Sequence, residues 1–199
     1  MDEALRKKCD ALKSGLEAMG SVAVAFSAGV DSTFLLHVAH ETLGKQALAV
    51  TVRHCALPER EFDAAAAFCR ERGIRHAIVD VDVFSVSGFA ENPPDRCYWC
   101  KCAIFKALID RAAKEGFTHV AEGSNLDDDG DYRPGRRALS ELGVLSPLHA
   151  ARLTKADIRV ASRAFSLPTW DKPNLVRAAR AGFRLCFTRP RRLQNREHE

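Results

Sequence analysis

Ser27-Ala28-Gly29-Val30-Asp31-Ser32 puts two hydroxyls, a small-residue backbone and one carboxylate into six residues. The stretch follows the apolar run 21–26 and continues as Thr33-Phe34-Leu35-Leu36-His37-Val38-Ala39, which predicts a strand, a tight loop and a helix. Loop amides, hydroxyls and a helix N-terminus would then converge on one spot suited to phosphate. A carboxylate there repels phosphate unless a divalent cation accompanies it, so Asp31 points to nucleotide chemistry with Mg2+ rather than anion storage. Without a ligand the same residues would be a serine-capped helix behind a core strand. Neither Gly-x-x-x-x-Gly-Lys-Ser/Thr nor Gly-x-Gly-x-x-Gly is present here.

A second polar group follows the apolar residues 117–121 as Glu122-Gly123-Ser124-Asn125-Leu126-Asp127-Asp128-Asp129. Read as a site, Gly123 and Asn125 contact the nucleotide, and Asp127 and Asp128 join Asp31 in offering hard oxygens to Mg2+; the other reading is a solvated acidic turn. Arg133 is suited to a phosphate or a substrate carboxylate, or is surface charge. Cys97, Cys100 and Cys102 open a helical pattern that continues through Ile104, Phe105, Leu108 and Ile109. They fit a pocket wall, a redox couple, half a zinc site or a thiol activated by a helix N-terminus, and the lack of a second suitably spaced pair argues against a structural zinc site. Trp99 reads as pocket lining or as core. His37 and Glu41, one helical turn apart, read as a surface contact.

The elements that must position these groups alternate. Leu5, Cys9, Leu12, Leu16 and Met19 recur at helical spacing before Gly20, and Gly44 closes the helix after the loop. Residues 46–52 form a second apolar strand, an alanine-rich helix runs from Pro58 to Arg72, and residues 75–82 form a third strand. Residues 117–121 and 144–148 predict further strands, and Thr154-Lys155-Ala156-Asp157 opens a capped helix ending near Phe165. Such alternation implies an α/β fold, a doubly wound parallel sheet with helices on both faces. Ligands then bind at the strand C-terminal ends where strand order reverses, which places Thr51, Val52 and Arg53 on the same rim as Ser27, available to adenine and ribose.

The chain of 199 residues, with 46% hydrophobic and 28% charged residues, suits a globular domain. Its net charge of +4 is concentrated in the arginine-rich final stretch, which argues against nucleic acid as a partner. No apolar run is long enough for a membrane span and residues 1–8 are not a signal peptide, so a cytoplasmic protein is expected. The odd number of cysteines, seven, fits free thiols in a reducing compartment. The expected organisation is one domain over 1–173 and an appendage over 174–199.

The hexapeptide resembles the PP-loop, Ser-Gly-Gly-x-Asp-Ser, of the ATP pyrophosphatases, with Ala28 in place of the first glycine. The order of motifs resembles one branch, the LarE-type ATP-dependent sacrificial sulfur transferases, which help build the nickel-pincer cofactor of lactate racemase. That resemblance covers 21–173 and is carried by the loop, Asn92-Pro93-Pro94-Asp95-Arg96-Cys97-Tyr98-Trp99-Cys100-Lys101, Glu122-Gly123-Ser124-Asn125-Leu126-Asp127-Asp128, Asp131-Tyr132-Arg133-Pro134-Gly135, Ser146-Pro147-Leu148 and Leu167-Pro168-Thr169-Trp170-Asp171-Lys172-Pro173. It implies a PP-loop fold using ATP and Mg2+, adenylation of a carboxylate of a nicotinate-derived mononucleotide with pyrophosphate release, and transfer of a cysteine's sulfur to the product. Asp31 and Ser32 are then catalytic, residues 27–32 with Thr51, Arg53, Gly123 and Asn125 bind the nucleotide, and Arg96, Cys97, Trp99 and Arg133 line the substrate pocket. The resemblance also implies a homo-oligomer. It breaks after Lys172-Pro173: Arg177 stands where the family pattern has its sacrificial cysteine, and Cys186 lies downstream as the candidate donor. The tail 174–199 is accordingly expected to be a divergent or truncated ending. The alternatives are another PP-loop adenylating enzyme, acting in tRNA thiolation or amide synthesis, and an ATP-binding pseudoenzyme.

Overall fold

A computed structural model describes residues 1–53, 59–82, 96–130 and 134–173. Arg133, Cys186, the residues before Arg96 in its motif and the whole stretch 174–199 lie outside the described residues.

Helix α1 (Glu3–Met19) starts where the Asp2 carboxylate accepts the Leu5 amide at 2.8 Å, and it buries Leu5, Cys9, Leu12 and Leu16. Strand β1 (Val22–Ala25) leads through the hexapeptide into α2 (Val30–Leu43). Strand β2 (Ala47–Arg53), α3 (Glu59–Glu71) and β3 (Arg75–Asp80) follow. Then come α4 (Arg96–Lys114), β4 (Val120–Ala121), α5 (Pro134–Glu141), α6 (Pro147–Ala150) and α7 (Lys155–Ala164).

The four strands are all parallel, in the order β3-β2-β1-β4. Alternate residues face opposite layers. Val22, Val24, Ala47 and Ala49 pack with Leu12, Phe34, Leu36 and Phe68, so α1, α2 and α3 share one face. Ala23, Leu48 and Val50 pack with Phe105 and Leu108 of α4 and Leu139 of α5 on the other. The chain therefore steps outward from β1 to β3 under α2 and α3, then returns across the opposite face through α4 to lie beside β1. Strand order reverses between β1 and β4, which opens a crevice at their C-terminal ends. The fold class is the doubly wound α/β sheet read from the sequence.

Two expected elements change. The predicted strand at 117–121 contracts to Val120–Ala121, because Phe117 is taken up in closing α4, its amide bonded to Ala112 O at 2.9 Å. The strand predicted over 144–148 is a single parallel bridge at Leu145, which bonds Val120 O and the Glu122 amide at 2.8 and 2.9 Å. Pro147 then takes the first helical position, where its missing N–H is no loss, and starts the short α6. Helix α7 carries the expected capping box: Thr154 Oγ1 accepts the Asp157 amide, and Asp157 accepts the Thr154 amide. Among the described residues no helix is long and apolar enough to cross a membrane.

Candidate active site

The loop between β1 and α2 is held by its own serines. Ser27 N–H reaches Ser32 Oγ at 3.3 Å, the two hydroxyls lie 3.2 Å apart, and Ser32 Oγ donates to Gly29 O at 3.2 Å. Gly29 is the N-cap of α2 and no side chain caps that helix, so its first-turn amides are left for an anionic ligand. Ala28, where the PP-loop pattern has glycine, adopts the left-handed conformation with φ 53°. That conformation costs an L-residue on the order of 1–2 kcal/mol, which explains a glycine preference at this position.

Across the switch point, the β4 loop closes against the start of α2. A Cβ on Gly123 would lie 3.1 Å from both the Ser32 nitrogen and the Asp31 Cβ, so only glycine permits this approach without a shift. Asn125 Nδ2 donates to Asp31 Oδ1 at 3.4 Å, and the Asn125 amide donates to Asp128 Oδ2 at 3.0 Å. The second oxygen of Asp31 pairs with Lys155 Nζ from α7. Burial pushes the Asp31 carboxyl above its usual range, against the opposing pull of Lys155 and Asn125, and the Asp128 charge adds to the rise. Glu122 is buried and accepts from Ser124 N, Ser124 Oγ and Ser146 Oγ at 3.0, 2.9 and 2.6 Å.

These groups form the polar end of an open cleft of about 390 Å³, within the range of small-ligand sites. Ser27, Gly29, Asp31, Ser32, Gly123, Asn125 and Asp128 all line it, as does Lys155. The other end is apolar, walled by Val50 and Val52 of β2 and by Ile104, Phe105 and Leu108 of α4, with Lys101 above them.

Several placements expected from the sequence change. Thr51 and Arg53 do not line the cleft. The Thr51 side chain faces away, buried, its hydroxyl donating to Phe26 O at 2.9 Å and accepting from His76 Nε2 at 2.8 Å, so it braces the end of β1. Arg53 is bound to Asp80 on the surface at 2.5 Å. The period-two alternation turns Val50 and Val52 inward instead. Of the three carboxylates assigned to Mg2+, Asp31 and Asp128 face the cleft, whereas Asp127 accepts the Lys155 amide at 2.9 Å and is taken up at the start of α7. Among the described residues no cluster of three or more potential ligand side chains stands ready for a metal. Two carboxylates beside a phosphate-suited loop nevertheless fit Mg2+, which commonly takes one or two protein carboxylates and completes its shell with phosphate and water.

Cys97 and Trp99 also fall outside the cleft lining. Cys97 lies one turn before Lys101 on the same helical stripe and is exposed, and Trp99, 47% exposed, packs edge-on against Tyr98. Arg96 begins α4; its side chain, like residues 133 and 186, is outside what is described. Cys9 and Cys69 belong to the core, and burial pushes the Cys69 thiol up to about 12. Sequence reasoning passed over Lys101, Glu122 and Lys155. A helical stripe of Lys101 with Ile104, Phe105 and Leu108 was a usable signal for the first. Nothing local brings Lys155 to Asp31, 124 residues away.

The model of the family described as queuosine biosynthesis protein QueC matches residues 21–91. An uncharacterized protein of Synechocystis sp. is 36% identical over 169 residues, 85% of this chain and 63% of that protein. The pyridinium-3,5-bisthiocarboxylic acid mononucleotide synthase of Lactiplantibacillus plantarum is 34% identical over 169 residues, 84% of this chain and 61% of the synthase. The chain thus spans about three fifths of the length of these relatives. Among solved structures, the U34-tRNA thiolase NcsA of Methanococcus maripaludis superposes with a TM-score of 0.63 at 18% identity, over 92% of this chain and 73% of the other. The NH3-dependent NAD synthetase of Campylobacter jejuni gives 0.59 at 13% identity, over 93% and 84%. Sheet order and these superpositions show an α/β fold shared with the thiolase and the NAD synthetase, and over 84% of its length the chain is similar in sequence to the Lactiplantibacillus plantarum synthase.

Proposed function

We propose that the chain binds ATP with Mg2+ in the cleft and adenylates a carboxylate of a nicotinate-derived mononucleotide, releasing pyrophosphate, as the first stage of a sulfur transfer. The observation that carries this reading is the uncapped start of α2 facing Asp31, Asn125 and Asp128 across the switch point. In the reaction the substrate carboxylate oxygen bonds to the α-phosphorus of ATP and the bond to pyrophosphate breaks, giving an acyl-adenylate. The α2 amides and the Ser27 and Ser32 hydroxyls suit the phosphate oxygens, where prearranged donors stabilise developing charge. Lys155, paired with Asp31 here, is positioned to pass to a phosphate when Asp31 turns to a cation. Asp31 and Asp128 would hold Mg2+, which when bound offsets charge on the departing pyrophosphate. Val50, Val52 and the α4 stripe give the base an apolar wall.

The product named for the Lactiplantibacillus plantarum synthase, a pyridinium bisthiocarboxylic acid mononucleotide, supports the substrate class. In the second stage a cysteine thiolate displaces AMP from the acyl-adenylate to form a thioester, and loss of the cysteine α-proton with cleavage of its Cβ–S bond then releases the thiocarboxylate and leaves dehydroalanine in the chain. Cys186 is the proposed donor, in a cytoplasmic homo-oligomer. Arg177 at the family's cysteine position favours a second reading, adenylation without sulfur donation. Pyrophosphate release from ATP and Mg2+ with a nicotinate mononucleotide carboxylate, followed by intact mass, separates the two. Substrate-dependent pyrophosphate with loss of the elements of hydrogen sulfide from the protein supports the first; pyrophosphate with unchanged mass supports the second. Absence of pyrophosphate with every pyridine carboxylate sinks both.

A further inference from the structure

The phosphate-suited loop is braced from behind by an ion pair that the nucleotide reading does not use. Lys172 Nζ donates to the Ala28 carbonyl at 3.0 Å and pairs with Glu61 Oε2 in the first turn of α3. The Glu61 side chain is only 7% exposed, and Arg60, the other cation paired with it among the described residues, stands 3.8 Å away on the surface. Lys172 is itself anchored: its amide bonds Thr169 O at 3.1 Å and its carbonyl accepts Arg159 Nη2 at 2.9 Å. Pro173 further restricts the Lys172 backbone by excluding the helical region. Neither Lys172 nor Glu61 lines the cleft.

The Ala28–Gly29 peptide is a rigid plane whose C=O and N–H point in opposite directions. Drawing the Ala28 carbonyl toward Lys172 turns the Gly29 N–H away from the brace, and Gly29, unlike Ala28, lines the cleft. Ala28 sits at φ 53° without glycine's freedom, a conformation that persists only when its surroundings hold it. We infer that Lys172, balanced by Glu61, is a positioning residue for phosphate binding: it sets the Ala28–Gly29 peptide so that the Gly29 amide is presented to phosphate. Because Glu61 balances its charge, Lys172 acts through the orientation of this peptide. The inference rests on the nucleotide reading above.

The test is calorimetric binding of Mg2+-pyrophosphate to the full chain, with thermal melting, for wild type, Lys172→Met, Lys172→Arg and the double variant Lys172→Met/Glu61→Gln. Lys172→Met lowers both pyrophosphate affinity, by about tenfold for a lost phosphate donor, and Tm, because Glu61 is left buried without its cation. The double variant removes that unpaired charge, so Tm recovers while pyrophosphate affinity stays low. Lys172→Arg, which keeps a cationic donor, retains more affinity than Lys172→Met. Unchanged affinity in Lys172→Met overturns the inference, and so does affinity that rises with Tm in the double variant, since a purely structural role predicts that the two move together. Wild-type protein that binds neither ATP nor pyrophosphate removes the nucleotide reading itself, and this inference with it.

Discussion

The two ends of the cleft are built by different means. At the polar end, position is set by backbone: a left-handed Ala28, an uncapped helix start, a glycine at which an added Cβ would lie 3.1 Å from a neighbouring amide nitrogen, and side chains fixed by polar contacts. At the apolar end, position is set by packing of the C-terminal half of β2 against an α4 stripe, with α4 tied to α5 through Tyr98 and Glu141 at 2.5 Å. Backbone-built sites tolerate almost no change of shape, whereas packed walls accept volume changes at graded cost. The polar end therefore should carry the chemistry and the apolar end the affinity.

The sharpest way to break that contrast is Asp31→Asn. If the cleft binds ATP as proposed, loss of the charge that Asp31 presents to it should reduce pyrophosphate release by about 100-fold or more, in line with other single electrostatic groups in active sites. Stability should not fall with it. The Asp31 carboxyl is held above its usual range by burial, so the ionised form is disfavoured by folding, and the empty protein gains stability as pH falls through that raised value. A denaturant melt showing Asp31→Asn clearly less stable than wild type at neutral pH would contradict this assignment.

Gly123→Ala tests the backbone-built end by shape alone. Its Cβ would press on the Ser32 nitrogen and Asp31, so ATP affinity should drop roughly tenfold and stability by about 1–3 kcal/mol, the usual range for overpacking. Wild-type ATP affinity in this variant would show that the close approach is not needed.

The apolar end is tested by Val52→Ala beside Arg53→Ala. The first should raise the KM for ATP by about threefold to tenfold with little change in kcat, the mark of uniform binding, while the second leaves both unchanged. The opposite pattern would return the base to the Thr51 and Arg53 side of the strand.

A smaller effect comes from pH. Burial holds His37 and His76 below the ordinary histidine value, so both fold as neutral rings. Their contribution to stability is complete above the unfolded value of about 6.5 and is lost as pH falls through it toward the lower folded values. Urea midpoints should decline between about pH 7.5 and 5.5, and less steeply in a His37→Gln/His76→Gln variant.

The smallest change is Ala28→Gly, which relieves the left-handed alanine and gives back some unfolded-state entropy. It should stabilise the protein by roughly 0.5–1 kcal/mol while leaving pyrophosphate release intact, read by thermal melting.

Much of this protein was legible one segment at a time. The hexapeptide between a strand and a helix, the alternation of apolar strands with helices, and the Thr154–Asp157 capping box all rest on local backbone rules, so sequence alone determined the fold class and the position of the loop at the polar end of the cleft. Tertiary structure decided what depends on distance in the chain. It turned Val50 and Val52 inward in place of Thr51 and Arg53, because strand register against β1 and β3 selects the face. It assigned Asp127 to the start of α7 and left Asp31 with Asp128 in the cleft. It also brought Lys155 to Asp31 and Lys172 to Ala28 and Glu61, contacts spanning 124, 144 and 111 residues. No periodicity or spacing encodes such meetings; they follow from crossovers that carry the ends of separate elements to one edge of the sheet.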